Sequence, residues 1–425
     1  MRSIRAQYFL SFGVLGSVMP FLSVFLRERG LNNAQVGYVT GAASLGVVLT
    51  PVLVTLLADA AVAGRVLMAG LFAASGALLA AVLGAHAFWP ILACYTLHSL
   101  AYAPIIPLQD GIYFAAAERE KRLPTPFQKG VGSLFSVRSL GPYHVVRVWG
   151  TIGFIVPSVV LYFFLTEEST VAPAMACAIA MCAAGAVNAF FLPREANDEI
   201  ATKAEPDASR LPTAAAARAL LEPHMLVFCV AMALLYMAST GYYQFYPIHL
   251  TDVLHIDKRW VGLIAAIGVV VEIFFMLGFG RLRAAMTLRG LMIVGVGCIA
   301  LRLLLLAFVP TRAVAIGQQL LHGMTVLVLL VAPPIYLNAR AGDAYRSSIQ
   351  GLYAMTVSGA ARIVGSVLTG IVAEWSMTAM FAGCAGLCVI AAGLFYFAFR
   401  EHVTEPSRAG IEQPILGERH ARTSD

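Results

Sequence analysis

Four ionisable side chains stand inside stretches that otherwise read as hydrocarbon. Arg302 lies in "ALRLLLLAF" (300–308), Glu272 in "VVVEIFFM" (269–276), Asp110 in "PLQD" (107–110), and Arg362 in an apolar run near 348–373. A carboxyl at mid-depth in a membrane is suited to carrying a proton, and a guanidinium there to gripping an anion or a carboxylate. A charge at a helix centre costs roughly 2.5 to 3.5 kcal/mol on insertion scales, so these four are expected to face the protein interior. Two are acidic and two basic, and the expected pair is Glu272 with Arg302, one helix later. Buried pairs stabilise less than apolar packing does, which favours a functional role for this one.

Uncharged polar residues recur at helical spacing around them. Gln318, His322 and Thr325 fall at i, i+4 and i+7. Tyr236, Ser239, Thr240, Tyr243, Gln244 and Pro247 form a broad stripe, and Ser358, Arg362, Ser366 and Thr369 another. Stripes of Ser and Thr alone hold helices together. Stripes that include Arg362, His322 and Gln244 are expected to line a cavity. His98 and Tyr102 share a face, and Pro104 and Pro107 are expected to bend their helix before Asp110.

The elements that position these residues are long apolar helices. The chain has 425 residues, 59% hydrophobic and 12% charged, with a mean hydropathy of +0.79. Twelve runs each suffice to cross a bilayer: near 6–26, 36–57, 66–84, 88–116, 146–165, 171–192, 224–250, 260–280, 287–309, 313–337, 348–373 and 377–399. Arg2 and Arg5 precede a run of full spanning length with no small-residue cleavage site, so the start is not a cleavable signal. The seven cysteines all lie in apolar segments without a C-x-x-C pair, which fits packing.

With both termini cytoplasmic, Arg27, Arg29, Lys258, Arg259 and Arg312 are external, Arg302 and Arg362 lie within spans, and the remaining Lys and Arg are cytoplasmic. The net charge of +6 is therefore a topology signal, and no nucleic-acid binding is expected. The expected location is the cell inner membrane, multi-pass.

Residues 193–221 form the longest polar break and separate six spans from six. The expected organisation is an N-terminal bundle over 1–192, a cytoplasmic central loop over 193–221, a C-terminal bundle over 222–400 and a disordered cytoplasmic tail over 401–425. The halves echo each other at an offset of about 225 residues, as inverted or parallel repeats do in transporters. "LRERGLNNAQVGYVTG" (26–41) matches "VLHIDKRWVGLIAAIG" (253–268), with Val36-Gly37 falling on Val261-Gly262. "GRVLMAG" (64–70) resembles "LRGLMIVG" (288–295). A second loop, 117–145, is long and basic and is expected to be solvated. Gly37 and Gly41 form a small-xxx-small pair for close packing. "GVGCIA" (295–300) lacks the βαβ context of a nucleotide fingerprint.

In this order and spacing the residues resemble the major facilitator superfamily over about 6–400, in particular its oligosaccharide–proton, nucleoside–proton and phenylpropionate permease-like groups. "YFLSFGVLGSVMPFLSVFLRERGLNNAQVG", "PLQD", "YHVVRVWGTIGF" (143–154), "LR" (301–302) and "QLLH" (319–322) carry the resemblance. It implies an all-α polytopic membrane protein of twelve transmembrane helices in two six-helix pseudo-repeats. By similarity to the lactose permease branch, Asp110 and Arg147 stand where an acid and an arginine grip substrate. Glu272, Arg302 and His322 resemble that branch's helix 8 acid, helix 9 arginine and helix 10 histidine.

The departures are specific. Thr325 replaces the proton-carrying acid, Gln319 replaces a lysine, the seventh span lacks both acids, and Arg362 resembles a lysine without its partner. The loop between spans 2 and 3 keeps Asp59, Gly64 and Arg65 but has Ala60 in place of a basic residue. The antiporter signature is absent from "WGTIGFIVPSVV".

The expectation is a secondary transporter for a sugar, nucleoside or aromatic acid, working by proton symport. Asp110, Arg147, Tyr243, Gln244, Arg302, His322 and Arg362 are the expected substrate-binding residues, and Glu272, Arg302 and His322 the proton-coupling ones. The partners expected are a small-molecule solute, protons and the lipid bilayer, for a monomer without cofactor or metal. A proton-independent facilitator or exchanger is the alternative that Thr325 suggests. An intramembrane enzyme or a receptor is a third, although no H-E-x-x-H or G-x-S-x-G motif supports catalysis.

Overall fold

The computed structural model describes residues 2–59, 63–122, 143–166, 168–193, 212–341 and 346–399. Most of loop 117–145, most of 193–221, the tail 401–425 and Ala60 thus lie outside the described residues. The described residues are helical with no strands, as a bilayer demands of a chain whose backbone groups must be satisfied internally.

Among the described residues, ten helices are long and apolar enough to cross a membrane. They are α3 (Gly64–Gly84), α4 (Phe88–Ala117), α5 (Val145–Phe164), α6 (Ala172–Ala189), α7 (Pro223–Val253), α8 (Lys258–Ala285), α9 (Leu288–Phe308), α10 (Arg312–Ala341), α11 (Ser348–Trp375) and α12 (Met377–Phe397). The first two predicted spans are broken. α1 consists of Arg2–Val18 and Leu22–Glu28, bent by 43° where Pro20 removes a backbone donor. α2 consists of Asn33–Ala43 and Leu45–Asp59, divided at Ser44, whose hydroxyl bonds back to the Thr40 carbonyl at 3.0 Å. α4 turns at Ala103-Pro104, as its prolines predict.

Helix ends carry their own caps. Asn32 and Gln35 form a reciprocal capping box at α2, and Thr287, Thr311 and Ser376 accept backbone N–H groups at the starts of α9, α10 and α12.

The packing repeats between halves. α1 packs on α5 and α6 as α7 packs on α11 and α12, and α3 pairs with α6 as α9 pairs with α12. The halves meet along two equivalent seams, α2 with α11 and α5 with α8. The echoed Val-Gly pairs sit one on each seam. A Cβ on Gly37 would come within 2.6 Å of the Ser366 carbonyl and 2.9 Å of the Gly370 Cα, and one on Gly262 within 2.8 Å of Phe21 and 3.1 Å of Ser158. The echo in the sequence is therefore an echo of seam contacts.

Ion pairs and hydrogen bonds fasten the halves at the end opposite the N-terminus of α1. Lys258 Nζ donates to Glu28 at 2.6 Å, and the other Glu28 oxygen accepts the Val171 N–H at 2.8 Å. Arg27 faces Asp252 at 3.7 Å, and the Asn33 N–H donates to Glu374 at 2.7 Å. Trp260 packs edge-on against Tyr162.

Candidate substrate site

The charged residues do not form the predicted pair. Arg302 is 1% exposed and is the largest fully buried side chain. Its Nε donates to Gln318 at 2.6 Å, one Nη to Thr325 at 2.6 Å and to the His322 Nδ1 at 3.3 Å, and the other to Gln319 at 3.3 Å. The Tyr242 ring covers its face at 4.4 Å. The stripe Gln318, His322, Thr325 thus forms as its spacing predicts. Gln319 joins it because α10 tightens into a 3-10 turn at Gln318–Leu321, which brings neighbouring side chains onto one side.

The expected Glu272–Arg302 pair is not formed. Consecutive helices here are not neighbours: α8 packs chiefly on α10 and α5, and α10 stands between it and α9. Gly268 makes that contact, since a Cβ there would meet Gln319 at 2.9 Å and His322 at 3.0 Å. Glu272 lies one turn further along the same face, half-buried. The basic residue that bears on it is Arg147 of α5, from the other half.

Arg147 is half-buried, with its guanidinium 4.0 Å from the Phe12 ring centre and 6.0 Å from that of Tyr8. Asp110 is held by hydroxyls: Tyr8 and Tyr143 both donate to its Oδ1, the latter at 3.1 Å. Phe114 stacks on Tyr143 at 5.1 Å, so the carboxylate and guanidinium are set in a wall of rings. On the opposite wall Arg362 contacts Ser358 at 3.4 Å and lies 5.2 Å from the Tyr236 ring centre.

Tyr243 marks the space between. It is 36% exposed and lies edge-on to His322. Gln244, one residue on, points elsewhere. It is 5% exposed and its Nε2 would lie 3.4 Å from a Cβ on Gly37, which places it at the α2–α11 seam.

The ion pairs among the described residues, Arg27–Asp252, Glu28–Lys258 and Asp257–Arg259, include none of the site's charges. Three guanidiniums, Arg147, Arg302 and Arg362, thus stand against two carboxyls, Asp110 and Glu272. Among the described residues no three His, Cys, Asp or Glu side chains gather as metal ligands do.

Tyr8, Phe12, Tyr143 and Tyr242 were not singled out by sequence. Tyr8 and Phe12 at i, i+4 were the available signal, but rings in an apolar helix do not interrupt its pattern.

The MFS_1 like family matches residues 1–382 of this chain. The chain belongs to the major facilitator superfamily. Among curated relatives, this superfamily member is 25% identical over 426 residues to the putative nucleoside transporter YegT of Escherichia coli K12, with 93% of each chain covered. It is 23% identical over 373 residues to that organism's probable 3-phenylpropionic acid transporter, covering 87% of this chain and 89% of the relative. Its fold matches the crystal structure of the nucleoside transporter NupG with a TM-score of 0.78 at 19% identity, over 94% of this chain and 99% of that one. A bacterial homologue of the lysosomal transporter Spinster, inward-facing and unoccupied, matches at 0.68 and 13% identity, over 93% and 95%. The superfamily member is a multi-pass membrane transporter and not an enzyme.

Proposed function

We propose that this protein is a proton-coupled symporter for a small organic anion with an aromatic ring, acting in the inner membrane with both termini cytoplasmic. One observation carries the substrate reading. Arg147 and Arg362 have no carboxylate within ion-pair distance among the described residues, and each lies against aromatic rings, Phe12 and Tyr8 for the first and Tyr236 for the second. A guanidinium without a carboxylate partner is suited to bind an anionic group. Tyr243 and Tyr143 supply ring faces and edges for the rest of the solute. The 3-phenylpropionic acid relative supports this over a neutral nucleoside or sugar.

Basic residues such as Arg2, Arg65, Arg281, Arg283 and Arg289 lie at the end where α1 begins, which supports a cytoplasmic placement for it. The fastened end is then external and the state inward-facing. Glu272 is the proposed proton carrier. It stands on α8 within electrostatic reach of Arg147 on α5, so an anion that engages Arg147 would compete with the Glu272 carboxylate for the same guanidinium. Proton and solute would then load together.

A second reading, exchange without protons, draws on Thr325, whose hydroxyl oxygen accepts from Arg302 but carries no titratable proton. Proteoliposomes separate the two. Glu272→Gln is expected to keep counterflow of labelled solute and to lose accumulation driven by a pH gradient. Accumulation that persists in Glu272→Gln removes Glu272 from the coupling, and wild-type protein that exchanges but never accumulates establishes the second reading.

A further inference from the structure

Arg302 poses a separate problem of charge. It is permanently ionised, 1% exposed, and has no carboxylate within ion-pair distance among the described residues. Its partners, Gln318, Gln319, His322 and Thr325, are dipoles and not counter-ions. A guanidinium has five N–H donors, and these four acceptors leave one Nη2 hydrogen unclaimed.

A small cavity opens beside it, lined by Ser239, Tyr242, Ile299, Arg302, Leu303 and Thr325. Ser239 is 4% exposed and its hydroxyl has no partner. Thr325 is 2% exposed, and its oxygen already accepts from Arg302, which leaves its hydrogen to donate. Donors therefore converge on this space from α7, α9 and α10, and the other lining groups are an aromatic ring and two aliphatic chains. A water molecule there would accept readily but find few acceptors for its own hydrogens. A monovalent anion would satisfy every donor and neutralise Arg302 as well.

We propose that the cavity beside Arg302 binds a small inorganic anion of the halide class, which acts as the structural counter-ion of the second half. The site is independent of the substrate reading, because every residue that lines it is buried and none of them belongs to the proposed anion contacts Arg147 and Arg362.

The test is thermal unfolding of the purified full chain at constant ionic strength, with sodium chloride or bromide titrated against sodium gluconate. The halides are expected to raise the melting temperature saturably, and gluconate, too large for the cavity, to leave it unchanged. Ser239→Ala, which alters no contact of Arg302, is expected to raise the half-saturating halide concentration about tenfold through loss of one charge-assisted hydrogen bond. In Arg302→Gln, if it folds, the halide response is expected to vanish. Identical melting in chloride and gluconate would mean that water fills the cavity and would overturn the proposal. So would a halide response that Ser239→Ala leaves unchanged, since the ion would then bind elsewhere.

Discussion

Arg147 and Arg302 have equal standing in the sequence, each an arginine in an apolar helix at a position that resembles a substrate-gripping one. The structure gives them opposite surroundings. Arg147 is half-buried, rests on the Phe12 ring and stands within electrostatic reach of Glu272 on α8. Arg302 is enclosed within its own half and has bonds to four side chains of α10. A charge at the seam between moving bodies changes its surroundings when they rock, and can couple solute binding to that motion. A charge inside one body keeps the same neighbours in every state and can only hold that body together. Arg302 therefore reads as a positioning residue: it fixes the face of α10 from which His322 projects toward Tyr243.

The comparison breaks down if the two arginines respond alike to removal. The largest effect is expected from Arg302→Ala. It leaves the buried Gln318 side-chain oxygen without its donor inside a half, at about 1 to 3 kcal/mol, and strips the His322 and Thr325 contacts as well. Melting temperature should fall by many degrees, while solute affinity in the surviving protein changes little. Equal stability of this variant and the wild type in a thermal scan would show that the enclosure is not structural.

Arg147→Ala is expected to do the reverse. Loss of one charge-assisted contact to the solute should weaken binding by about 10- to 100-fold, with little change in melting. Calorimetry on the purified protein checks this, and an unchanged affinity would place the anion elsewhere.

The smallest effect belongs to the external clasp. Lys258→Ala removes a contact to Glu28 that is only partly exposed, worth about 1 kcal/mol, so outward-open molecules should rise about fivefold. Labelling of a cysteine introduced at Phe21, from the external side, would report it. Unchanged labelling would mean that the α2–α11 and α5–α8 seams alone set the closed state.

The membrane spans were legible because each had to be apolar over its full length, and the repeat was legible because Gly37 and Gly262 serve equivalent seams. The polar stripe of α10 was legible from its spacing. Pairing was not. Glu272 and Arg302 lie on consecutive helices, and hydropathy says nothing of which helices touch, so α10 between them stayed invisible. Gln244 and Tyr243 are adjacent in the stripe, yet about 100° of helical rotation sends one to a seam and leaves the other accessible. Gln319 reached Arg302 only through a local 3-10 turn, and nothing in "GQQLLH" announces one.

The account rests on Arg147 reading a negative charge on the solute, and one binding cycle tests that directly. Affinities of 3-phenylpropionate and of its uncharged amide are measured for the wild type and for Arg147→Ala. The wild type should prefer the carboxylate by at least about tenfold, the value of one charge-assisted contact, and Arg147→Ala should bind both alike. Equal binding of acid and amide by the wild type, or a preference that survives in Arg147→Ala, would contradict it.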